Sequence, residues 1–203
     1  LKGASSGDCS HLSSDLFSSL GALESSAGLR RALTDPARDV AAKSNLVSDL
    51  FKSVLKGPAL ALLTQAAGLR WSSPSDFADA IEQLAVEAES AAANSENKLD
   101  SLLDELFAFA KSLVENPDLR SALTNSGDTL ARKIDLTKSI FGAKFGSHTI
   151  SLITQIVSGR SGRSIEKTLS AHIHAVTARR NRVNAFISTA IPLTSVQQEK
   201  LAA

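Results

Sequence analysis

Leu29-Arg-Arg-Ala-Leu-Thr34 and Leu119-Arg-Ser-Ala-Leu-Thr124 differ at one position and stand ninety residues apart. The match continues on both sides without a gap. Leu16-Phe17 falls on Leu106-Phe107, and Lys43, Leu46 and Phe51 fall on Lys133, Leu136 and Phe141. Further on, Leu62, Thr64-Gln65 and Arg70 meet Leu152, Thr154-Gln155 and Arg160. Adding Leu23/Leu113 and Ala41/Ala131 gives sixteen identities over fifty-five ungapped positions, so one structural motif is duplicated.

The punctuation and spacing inside each copy are helical. Asp35-Pro36, Gly57-Pro58, Ser73-Pro74 and Asn116-Pro117 each set a capping residue before a proline, which gives up no needed donor in a first turn. Ser73-Pro74-Ser75-Asp76 also reads as a weak capping box. Apolar residues recur every three or four positions. Phe77, Ile81, Leu84 and Ala88 form one stripe, Leu99 to Leu113 a second, and Ile165, Leu169, Ile173 and Val176 a third. The pattern predicts ten helices, near 9–26, 29–34, 37–55, 58–70, 74–93, 97–115, 117–124, 129–141, 147–159 and 164–181.

The period changes at the C-terminal end. Val183-Asn-Ala-Phe-Ile-Ser-Thr-Ala-Ile191 alternates like a strand, and Ser195 to Ala203 reads as the first turns of another helix. A lone strand needs a sheet partner, so the expectation is the start of a truncated C-terminal α/β domain. The expected class is mainly α: a duplicated helical bundle followed by that incomplete domain. The Met-free composition, without an initiator, suggests a processed chain or an excised fragment.

Composition narrows the function. With 43% apolar and 21% charged residues the chain can bury a core, which excludes wholesale disorder. No run of eighteen apolar residues is present to cross a membrane as a helix. One cysteine cannot form an internal disulfide, which favours a reducing compartment. The net charge of +1 conceals a split: residues 1–105 hold nine basic against fifteen acidic side chains, and residues 106–203 thirteen against six. That split suggests polar partner surfaces rather than a nucleic-acid binder, whose domain is usually basic throughout.

No catalytic set emerges. Ser158-Gly-Arg-Ser-Gly-Arg-Ser164 lacks the Walker spacing and a preceding strand, so it reads as a solvated turn between helices. His172 and His174 point about 200° apart on a helix and cannot chelate one metal, with His172 beside the apolar stripe and His174 facing away. Cys9 and His11 have no second ligand pair. Glu82, Glu87, Glu89, Glu96, Asp100, Asp104 and Glu105 read as a solvated acidic face. Arg179, Arg180 and Arg182 suit a helix C-terminus, where cations meet the macrodipole. No cofactor, metal or nucleic-acid partner is expected.

The run from Glu105 to Leu123, ELFAFAKSLVENPDLRSAL, resembles the second helix and turn of the ATP synthase delta subunit, the bacterial counterpart of the oligomycin-sensitivity-conferring protein. The likeness continues through Ala131–Gly142, His148–Ile153, Gly162–Lys167, Ala178–Val183 and Ser188–Leu193. In the first half, Arg31–Thr34, Leu69–Ser72 and Asp76–Glu82 resemble the extra segment of the actinobacterial branch, in which a membrane-anchored b-type segment can be fused ahead. The C-terminal glycine-containing hairpin of the family is missing, and the duplication exceeds its ordinary six-helix bundle.

This resemblance implies a division into 1–73, an extra duplicated helical segment; 74–182, a delta-type six-helix domain; and 183–203, the start of a C-terminal domain. It implies a non-catalytic stator subunit at the cytoplasmic face of the cell membrane, touching the membrane only through the complex or a fused anchor. Its implied partners are the N-terminal helix of an alpha subunit of the catalytic head and a b-type stalk subunit. The family seats the alpha helix between its first and fifth helices, taken here as 75–93 and 164–181. The expected groove residues are therefore Phe77, Ile81, Leu84, Ile165, Leu169 and Ile173, which at the same spacing could equally be bundle core. The alternative function is a helical adaptor sharing only the duplicated architecture.

Overall fold

A computed structural model describes residues 5–55, 57–159 and 162–180. It holds ten helices in these residues: α1 (Ser6–Ser25), α2 (Ala27–Thr34), α3 (Val40–Phe51), α4 (Gly57–Gly68), α5 (Pro74–Ser95), α6 (Leu99–Glu115), α7 (Pro117–Thr124), α8 (Leu130–Phe141), α9 (Ser147–Ser158) and α10 (Ile165–Arg180). The mainly α expectation holds, and no strand occurs among the described residues. The strand expected at 183–191 and the helix after 195 lie outside them.

The ninety-residue repeat is a repeat of helices. Shifted by ninety, the bounds of α2, α3 and α4 become those of α7, α8 and α9. The duplicated unit is thus five helices, α1–α5 and α6–α10. Even the turns recur. Asp35 Oδ1 accepts from the Ala37 amide at 2.9 Å, and its counterpart Asn125 Oδ1 from the Gly127 amide at 3.0 Å. Both are short side chains closing a turn on their own backbone. Asp35 therefore does not cap a helix at Pro36. The cap is Asp39, which accepts from Ala42 at 2.6 Å, so α3 begins at Val40 and not at 37. Its counterpart Thr129 caps α8 in the same way.

Other ends follow local chemistry. Ser73 accepts from Asp76 at 3.1 Å with Pro74 in the first turn, as expected. Asn116 instead turns back, donating from Nδ2 to the Ser112 carbonyl at the end of α6. A reciprocal capping box, Ser5 with Asp8, starts α1 three residues earlier than the sequence pattern suggests. Gly159 and Gly162 adopt φ of 75° and 76°, the left-handed region open to glycine, and so turn the chain from α9 toward α10.

One continuous hydrophobic core takes side chains from all ten helices. At its centre lies α5, with Phe77, Ile81, Ala85 and Ala88 fully buried. The most extensive helix pairing joins α5 to α1. The two run antiparallel, because Ser6 meets Glu96 and Ser10 meets Glu89. Alanine on α5 permits the close approach: Ala91 and Ala92 pack directly against Cys9. Filling that contact should therefore strain both helices. Ala92→Leu is expected to lower stability by about 1–3 kcal/mol, as overpacking does, measured by urea unfolding.

Candidate functional site: the polar seam and two helical grooves

The acidic stretch is not the solvated face that its sequence suggests. Glu82 and Glu89, two turns apart on α5, are 5% and 4% exposed. A buried carboxylate needs a charged or hydrogen-bonding partner, and both have one. Arg163, in the turn before α10, reaches Glu82 at 2.6 Å and Asp79 at 2.7 Å. His172 Nε2 stands 3.2 Å from Glu82. His148 Nδ1 of α9 stands 2.7 Å from Glu89, which also accepts from Ser10 of α1. His172 is buried beside the apolar stripe and His174 is exposed, as their spacing requires.

The remaining acids also face the second half. Glu87 binds Arg179 at 2.5 Å and Asp100 binds Arg180 at 2.6 Å. Glu105 of α6 accepts from the Gly146 amide and the Thr149 hydroxyl, supplying an N-terminal cap for α9 from another helix. The charge split between the two halves is in large part satisfied inside the chain. This corrects the reading of that split as partner surface. The physical reason is that α5 is central, so its polar side looks onto α9 and α10. Sequence periodicity missed His148 and Arg163 because their partners lie 59 and 81 positions away.

Two open grooves flank α10. The first, between α5 and α10, is floored by Ala80, Leu84, Ala175 and Ala178, with Gln83 and Glu87 on its rim. The second lies between α6, α7 and α10 and has a volume of about 460 Å³. Phe107, Val114, Leu169 and Ile173 line it, and the Arg120–Glu166 ion pair at 2.7 Å closes one end. The six expected groove residues divide between core and surface. Phe77 and Ile81 are fully buried, Phe77 edge-on to Trp71 at 5.5 Å, and Ile165 is 7% exposed. Leu84 floors the first groove; Leu169 and Ile173 line the second. Counted from α5, moreover, the fifth helix is α9 and α10 is the sixth, which corrects the assignment of 164–181 to the fifth. Beside α9, α5 already carries α1, through the Ser10–Glu89–His148 contacts.

An all-helical bundle with a charge-paired central helix and open apolar grooves belongs to the class of structural connectors. Residues 77–203 match the family described as OSCP, ATP synthase delta (OSCP) subunit. Similarity to individual proteins spans the whole chain. The ATP synthase subunit delta of Streptomyces avermitilis is 37% identical over 203 residues, covering 100% of this chain and 74% of that protein. That of Streptomyces coelicolor is 35% identical with the same coverage, and that of Kineococcus radiotolerans 36% over 98% of this chain and 72% of its own length. The chain belongs to the ATP synthase delta (OSCP) subunit family, and is a structural component of the peripheral stalk rather than a catalytic subunit. Such a complex is membrane-associated, while no helix among the described residues is long and apolar enough to cross a membrane.

The seam has a pH signature. Glu96, at the end of α5, has its pKa lowered from 4.5 to about 2, chiefly by Lys98, then by the Ser6 hydroxyl and His148. The folded value lies below the unfolded one. The stabilisation is therefore complete above about pH 4.5, declines as pH falls, and is gone near pH 2. Unchanged chain and Glu96→Gln should differ in urea midpoint at neutral pH and converge as pH is lowered through that window. A difference independent of pH would contradict this origin.

Proposed function

We propose that this chain is the static link between the catalytic head and the b-type stalk of the ATP synthase, at the cytoplasmic face of the membrane. Residues 74–182 are the delta-type unit in this reading, 1–73 the added segment and 183–203 the start of a further domain. The task demands a rigid body that holds a partner for many turnovers, and apolar burial at about 25 cal/mol per Å² provides holding without chemistry.

The observation that carries the site is the α5/α10 groove. Its alanine floor admits a helix to close approach, and Leu84 offers an apolar anchor on it. We assign the alpha-subunit N-terminal helix to this groove. Phe77, Ile81 and Ile165 support it from below as core, and the Glu87–Arg179 pair borders it.

Calorimetric titration with a peptide of about twenty residues from the alpha-subunit N-terminus of the same organism tests this reading. One-to-one binding with a Kd of about 1 μM or below is expected, weakened at least about tenfold by Leu84→Asp. Leu84 is only half-buried, so that variant keeps its fold where Ile81→Asp would not. No heat at several temperatures with a folded chain would overturn the assignment.

A further inference from the structure

The duplication supplies a template for the second groove. Three residues lining it, Phe107, Leu169 and Ile173, have counterparts ninety positions earlier at Phe17, Asp79 and Gln83. All three counterparts face α10 or the turn that leads into it. Phe17 packs on the His172 ring at 6.1 Å, Asp79 binds Arg163 at 2.7 Å, and Gln83 lines a cleft with His172 and Ala175. Within this molecule, then, that face of the first repeat is covered by a helix.

The same face of the second repeat is bare. Phe17 is 6% exposed where Phe107 is 51% exposed, and Val114 beside it is 81% exposed. The second repeat docks onto the first head-to-tail, and a head-to-tail contact necessarily leaves one copy of the receiving surface unused at the end. The side chains of that unused copy have changed in one direction. Asp79 and Gln83, which meet the polar side of α10, are replaced by Leu169 and Ile173. Ion pairs stand at both ends of α10, Arg120–Glu166 and Arg180–Asp100, with the apolar strip between them. Fourteen residues separate Glu166 from Arg180, which at 1.5 Å per residue makes the strip about 21 Å long, or about four helical turns.

We infer that the α6/α7/α10 groove is a docking site for an amphipathic helix of another polypeptide, about four turns long and apolar on its contact face. The helix would take the place over the second repeat that α10 takes over the first. The apolar character of Leu169 and Ile173 excludes a copy of α10 as occupant, since its Arg163 and His172 would lose their carboxylate partners. The inference concerns this groove alone and does not rest on the assignment of the α5/α10 groove.

A photoreactive benzoylphenylalanine replacing Val114 in the full chain, irradiated in the cells that produce it, tests the site. The adduct is mapped by peptide sequencing. The expected product joins position 114 to a helical segment of one other identified polypeptide, with apolar residues three and four apart. Phe107→Asp in the same chain should cut its yield about tenfold, as loss of an interface anchor does. Phe107 is half exposed, so the substitution spares the core, and circular dichroism of the purified variant checks this. An adduct within residues 183–203 of the same chain, an adduct to a second copy, or none at all would overturn the proposal. An adduct to a helix from outside the ATP synthase would uphold the groove while counting against the stator reading.

Discussion

Two carboxylates buried on one helix are the constraint on which the rest of the arrangement depends. Glu82 and Glu89 sit on the central helix α5 and cannot be left uncompensated there. Removing a charge from water costs several kcal/mol, so folding is consistent only with arrangements that bring Arg163, His172 and His148 to them. Those groups belong to the second repeat. The first repeat is therefore not free to pack anywhere else on the second, and the apolar core spanning all ten helices closes in one register. Such pairs contribute specificity of docking more than net stability, which comes from the buried leucines, phenylalanines and alanines around them.

Duplication has produced two units of the same design with different duties. Asp39 and Thr129 cap equivalent helices, and Asp35 and Asn125 close equivalent turns. The helix faces have diverged. Ser6 with Glu96, and Glu82 with His172, are contacts between residues at the same place in the two copies, ninety positions apart. Phe17 and Phe107 began as the same residue in the motif, and one is now inside while the other faces solvent. A repeat protein shows this asymmetry wherever an interior unit meets a terminal one.

A peripheral-stalk subunit carries load rather than turning substrate over, and the structure suits that. Its charged residues are largely engaged with one another. Its helices are capped by side chains at several starts, in one case from a different helix, through Glu105. Its open apolar surface is gathered into grooves beside α10 rather than scattered. Rigid packing and grooves of helical width are what a connector can contribute to an assembly whose chemistry lies elsewhere.

Helix number, position and duplication were legible in the sequence, because capping residues, prolines and apolar period are local properties that act within one or two turns. The family was legible for the same reason, through ordered short motifs. What tertiary structure alone decided is which side of each helix is inside. Phe77, Ile81, Leu84, Leu169 and Ile173 share one helical spacing, yet two are core and three line grooves, since periodicity defines a face without saying what covers it. The acidic run of α5 misled for that reason: its apparent outer side was covered by helices 59 to 92 positions away. Long-range pairing of charges is set by how the two repeats dock, and no pattern within a few turns of chain encodes it.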